Sequence, residues 1–288
     1  MTDAALQSHL QPWLAARPAR RACAPFLRRH DADAVQALAA LELEVLGVLS
    51  DVREPSVAEA KLRWWADEMA AVSAGTARHP LTLALARTAA VARIDAAQWR
   101  QPAERALDAL AATTAADDAA QWQQALAVCA PWATLEAACW HADRVDTDAA
   151  AQAAALAWLI DDLLRLPGLG ERPRLPLPMQ RLARHGLARD DLAADTNACR
   201  AAVREQCAVL AGRATAILDA GVAAALPLLR GFDLRLDAQA LRRAARSADP
   251  LPALARRRGW PGPAAVLAAW RAARASGARA VDPVPRGH

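Results

Sequence analysis

Apolar side chains recur at helical intervals along most of this chain. Val35, Leu38, Leu41, Val45, Val48, Leu49 and Val52 fall on one helical face behind Asp33 and Gln36, a capping pair, and predict a helix running to about Glu54. Pro55 is expected to stop it, because a proline ring lacks an N–H donor and clashes with the preceding turn. Ser56 and Glu59 then have the Ser-x-x-Glu form of a capping box for a second helix, which carries Leu62, Trp65, Met69 and Val72 and ends at Gly75. Further helices are predicted over residues 80–95, 101–112, 118–145, 149–166, 176–185, 195–230, 237–247 and 261–276. No segment alternates as a strand would. The expected fold is all-α.

The Pro- and Gly-rich run over 167–178 breaks the periodicity. The run is read either as a domain linker or as a loop within one bundle, the latter at least as well supported because amphipathic helices on both sides need partners. The latter gives a single helical domain over residues 1–280 and a disordered tail, Val-Asp-Pro-Val-Pro-Arg-Gly-His, over 281–288.

Composition supports that picture. Ala and Leu dominate, with no Tyr, two Phe and ten Trp, and 55% of the 288 residues are hydrophobic, enough for a large core. Trp64 and Trp65 are adjacent and point apart, so at least one is expected in the core. The net charge is +4, yet Lys61 is the only lysine among the basic residues. Such arginine bias fits GC-rich coding, and no nucleic-acid partner is inferred from charge. Five widely spaced cysteines without a CxxC pair predict buried free thiols, neither a disulfide framework nor a zinc site. No signal-peptide order opens the sequence, and no uncharged apolar run reaches the ~18 residues of a spanning helix; the run at 214–229 is interrupted by Asp219. A cytoplasmic protein is expected, with peripheral membrane contact left open.

Several blocks carry a resemblance. Glu54-Pro55 followed by Ala60-Lys61-Leu62-Arg63-Trp64-Trp65-Ala66-Asp67-Glu68 and Arg78-His79-Pro80 resembles the early block of the squalene/phytoene synthase family. Arg174-Leu175-Pro176-Leu177-Pro178, with Leu182 to Leu187 and Asp190-Asp191-Leu192 behind it, is similar to that family's Arg-x-Tyr-Leu-Pro segment, Pro176 replacing the tyrosine. The resemblance implies an isoprenoid-synthase-type helical bundle around a central cavity. It also implies two aspartate-rich walls that hold Mg²⁺ on a prenyl diphosphate, since hard carboxylate oxygens suit that ion.

Both walls are altered here. Counting back from Trp64-Trp65 sets the first Asp-Asp-x-x-Asp motif against Leu49, Ser50 and Arg53. Glu44, Asp51 and Glu54 lie nearby, either a displaced Mg²⁺ site or the solvated margin of an amphipathic helix. The second motif falls on Asp161, Arg165 and Leu169, so a cation stands at a metal-ligand position. Trp158, Asp161 and Arg165 share one helix face. Asp161 and Arg165 are read either as an exposed pair worth about 0.3–0.5 kcal/mol or as a former cavity wall holding an internal ion pair. Leu163-Leu164-Arg165-Leu166-Pro167 and Leu177-Pro178-Met179 also resemble the aspartate-poor branch that includes the mitochondrial complex I assembly factor.

The implied function is that of a non-catalytic or altered homologue binding a prenyl or other lipid-type ligand, or acting as an assembly factor. The alternative is an active Mg²⁺-dependent prenyltransferase condensing two prenyl diphosphates through Asp51, Glu54 and Asp161. Candidate ligand-binding residues are Glu44, Asp51, Glu54, Lys61, Trp158, Asp161, Arg165 and Arg174. His141 and Asp143, at i,i+2, are expected on the surface. Arg242, Arg243, Arg246 and Arg256 to Arg258 form a basic region, read as a solvated face or a surface for an anionic partner.

Overall fold

The structure, a computed structural model, describes residues 4–27, 31–88, 91–140, 145–168, 174–220 and 225–259, with positions 262, 263, 266, 267, 269–271 and 273 beyond them. Among the described residues there are helices and no strands. Helix α1 spans Ala4–Ala16, α2 Pro18–Cys23, α3 Ala32–Asp51, α4 Pro55–Ala74, α5 Pro80–Ala86 and α6 Ala96–Leu110. Then follow α7 Asp118–Trp140, α8 Thr147–Leu164, α9 Met179–Arg184, α10 Asn197–Asp219, α11 Leu228–Ala244 and α12 Pro250–Ala255. The most extensive pairings are α4 with α6, α7 with α8 and α10 with α11, and α8 also packs on both α10 and α11.

The sequence pattern locates most of these helices but misplaces several ends. Pro55 begins α4 rather than only stopping α3: its missing N–H falls where a first-turn donor has no intrahelical partner. Glu54 is therefore the cap position, and the expected Ser56–Glu59 capping box does not start the helix. Asp31, not Asp33, flanks α3, and the Gln36 amide donates to the Ala32 carbonyl. A capping box does occur at α6, where the Asp95 carboxylate accepts from Gln98 N–H and the Gln98 side chain accepts from Asp95 N–H. The span expected at 195–230 is two helices, and α1, α2 and α12 have no counterpart in the sequence pattern. The 281–288 tail lies outside the described residues.

Gly75 ends α4 as expected. Its φ of 68° is left-handed, its N–H bonds back to Val72, and Thr76 N–H bonds to Ala71. A Cβ would meet no atom there, so Gly75→Ala pits only the backbone against itself. Thermal denaturation should register a loss of about 1 kcal/mol; an unchanged melting temperature would show that the chain relaxes out of this conformation.

A large apolar core runs through the bundle, with α8 buried around most of its circumference, and a smaller cluster gathers Ala19, Cys23, Leu229, Phe232 and Ala269. Trp65 is inside and Trp64 outside, in edge contact with it. All five cysteines are free and buried, and burial pushes Cys23 and Cys207 up to about 12, beyond the range of a reactive thiolate.

Two polar fixtures hold the blocks that bear the resemblance. The Glu68 carboxylate accepts from Arg78 N–H and His79 N–H, both at 2.7 Å, and from the Thr82 hydroxyl, which fastens α4 to the start of α5. Burial opposes its charge, but these donors hold its pKa below the usual value. The Leu-Pro segment is held to α7 and the residues before it: Gln121 donates to the Pro176 carbonyl at 2.8 Å, and Leu175 N–H donates to the Thr114 hydroxyl at 3.0 Å. Met179 N–H donates to the Ala115 carbonyl.

Candidate functional site

Helices α3 and α8 face each other across the bundle. Glu42, Leu43, Leu46 and Gly47 of α3 stand on one side, with Ala153, Ala154, Ala157, Trp158 and Asp161 of α8 on the other. Arg17 and Arg20, at and just after the α1–α2 junction, Arg165 at the end of α8, and Arg230 and Asp233 of α11 complete the lining. The cavity, partly open to solvent, measures about 40 Å³. That is room for a few water molecules, against roughly 300 Å³ or more for ordinary ligand pockets.

Charge fills the space around it. Arg230 forks between Glu42, at 2.9 and 3.2 Å, and Glu136 of α7. Arg20 donates to Asp233 at 2.6 Å. Asp161 receives Arg17 on one oxygen and Arg257, at 3.2 Å, on the other, and Arg257 reaches Asp237 at 2.8 Å. Among the described residues, this cluster sets five buried carboxylates against four guanidiniums.

Burial works against the charge on Arg230, but attraction from Glu136 and Glu42 overrides it and raises its pKa. Arg257 is raised by Asp237 and Asp161 in the same way, again against burial. Asp237 goes the other direction: burial is the main cause, Arg257 opposes it, Asp233 and Asp161 add to it, and the carboxyl is pushed up to about 6. The surplus acid of the cluster thus comes nearest to protonation at Asp237.

At the rim, Arg165 donates to both oxygens of Asp51, at 2.8 and 3.3 Å. This bond joins the end of α8 to the end of α3. Arg174 reaches Asp162 at 2.9 Å and lies over the Trp158 ring, 4.3 Å from its centre.

The sequence candidates divide accordingly. Asp51, Trp158, Asp161, Arg165 and Arg174 gather around the cavity and its rim, whereas Glu44, Glu54 and Lys61 are exposed on or beside α3 and α4. The predicted exposed pair of Asp161 with Arg165 is not formed, because each side chain has a partner on another element. Arg257, read as part of a basic face, is buried in the cluster. Leu169, His141 and Asp143 lie outside the described residues.

Sequence reasoning missed Arg17, Arg20, Glu42, Glu136, Arg230, Asp233, Asp237 and Arg257 as interior groups. A local signal existed for Glu42, which is in phase with Leu38, Val45 and Leu46 of the core stripe.

The residues present do not fit a Mg²⁺ site. Among those described, no three His, Cys, Asp or Glu side chains come together to hold a metal ion. The buried carboxylates already face guanidinium groups, which satisfy their oxygens and repel a divalent cation.

Comparison with known proteins agrees with this architecture. The squalene/phytoene synthase family model matches residues 16–248. The crystal structure of squalene synthase HpnC from Alicyclobacillus acidocaldarius is similar at a TM-score of 0.52 over 98% of each chain, with 17% sequence identity, a likeness of fold. No protein of curated function matches the chain.

Proposed function

Since the chain belongs to the squalene/phytoene synthase family, we propose that it is a homologue altered at the diphosphate step, one that works by binding rather than by prenyl transfer. The observation that carries this reading is the bond from Arg165 to Asp51. It lies between the two helices on which the family's metal-binding motifs would fall, and there a direct ion pair takes the place of carboxylates bridged by Mg²⁺ and diphosphate. The guanidiniums inside support the same reading, because they neutralise the acidic groups that ionisation of an allylic diphosphate would recruit.

Within this reading the bundle serves as a binding scaffold. An isoprenoid-type lipid is the class of ligand that family membership supports, and the narrow central cavity favours a partner on the outside. The alternative, an active Mg²⁺-dependent prenyltransferase, needs Asp51 and Asp161 to leave their arginines.

Incubation of the purified protein with farnesyl diphosphate and Mg²⁺ separates the two. The expected result is neither a coupled C30 hydrocarbon nor released pyrophosphate. Turnover that is abolished by Asp51→Ala or Asp161→Ala would overturn the proposal.

A further inference from the structure

Two stretches of this chain contain no acidic residue, 4–30 and 250–281, and between them they carry eleven arginines. The fold brings the two together: α2 packs beside the turn Arg256–Arg258, and Ala269 is buried with Ala19, Cys23, Leu229 and Phe232. Arg17, Arg20 and Arg257 turn inward to the ion cluster. Arg21, Arg256 and Arg271 are exposed.

Where these stretches meet, Phe26, Pro263, Val266, Leu267 and Trp270 line a shallow open cleft. The last four are spaced i, i+3, i+4 and i+7, and the described positions from 263 to 273 are helical, so they form one stripe. Leu267 is 44% exposed and Trp270 39%, two of the few large apolar side chains that face solvent among the described residues.

We infer that this face is a docking surface for an anionic membrane. An amphipathic helix with Leu and Trp on one side and Arg beside them seats its apolar stripe at the acyl boundary, while the guanidiniums meet lipid phosphates. The arginines call for an anionic partner, and the exposed apolar stripe beside them favours lipid over an acidic protein or a nucleic acid. The patch is aliphatic as well as aromatic, and its Phe26, Pro263, Val266 and Leu267 side chains carry no polar group to read a base or order a peptide. None of the described helices is long and apolar enough to cross a membrane, so contact of this kind is confined to the surface. The inference does not depend on whether the interior is catalytic.

The test is co-sedimentation of the full chain with vesicles of phosphatidylcholine alone or with about 30% phosphatidylglycerol. Binding is expected on the anionic vesicles only, falling about tenfold or more in Leu267→Ser/Trp270→Ser, with an unchanged melting curve. Equal binding to both vesicle types, or undiminished binding by a folded double variant, overturns the inference, as does binding to duplex DNA without binding to vesicles. Should the double variant unfold, Arg21→Gln/Arg271→Gln and the response to salt decide. Binding that persists unchanged in that variant and from about 0.05 to about 0.5 M salt overturns it.

Discussion

Arg230→Ala should be the most damaging single substitution in the interior, lowering stability by about 3–5 kcal/mol and the melting temperature by on the order of 10 °C. Arg230 is buried and holds Glu42 of α3 and Glu136 of α7 at once. Without it, two carboxylates are left in the core with no cation against them, and such an isolated buried charge costs far more than the pair contributes when complete. The companion variant Glu42→Leu/Glu136→Leu/Arg230→Met removes all three charges together and should recover most of the loss. Chemical denaturation of both distinguishes this account from simple loss of packing, under which the triple variant would be no better than Arg230→Ala. An Arg230→Ala protein as stable as wild type would show that water reaches Glu42 and Glu136.

Asp237 gives the interior a pH dependence. Its folded pKa of about 6 lies above the ordinary 3.8. Between those values the folded state keeps a proton that the unfolded chain has released, so stability falls as pH rises through that window and levels off above about 6. Each tenfold difference in proton affinity between the two states is worth about 1.4 kcal/mol, which makes the fall up to about 3 kcal/mol. Asp237→Asn, neutral throughout, should lack it and be relatively more stable than wild type at pH 7 than at pH 4. The comparison between the two proteins also cancels His79, whose lowered pKa makes its own contribution rise with pH. Denaturation curves across this range with the same slope in both proteins would rule out Asp237 as the source.

Most of the helices were legible because a 3.6-residue apolar period is a local property. Gly75, the stripe of α3 and the core of α8 needed only neighbours in sequence to be read. The ends were less legible where one residue serves two purposes: Pro55 both closes one helix and opens the next. Helix α1 escaped because Pro12 interrupts its pattern, and α12 because six residues are too few to establish one.

The candidate site was legible only from one side. Trp158, Asp161 and Arg165 could be placed on a common face, but the partners of Asp161 lie 144 and 96 residues away, and no spacing rule connects such distances. An acidic residue at i,i+4 from an arginine reads as a surface pair until another element supplies a closer cation. Glu42 and Glu44, two positions apart on α3, fall on opposite faces: the first is in phase with the core stripe and buried on Arg230, the second is exposed, so helical phase was legible there while the cation that meets Glu42 was not.

The double attachment of Asp161 has a further consequence for how the protein is made. Its two cations come from residue 17 and residue 257, nearly opposite ends of the chain. During synthesis Arg17 precedes α8, but Arg257 follows α11 and α12, so Asp161 cannot gain its second cation until those helices have been made. A chain cut short before Arg257 keeps Asp161 on Arg17 and leaves Asp237 without the cation that faces it.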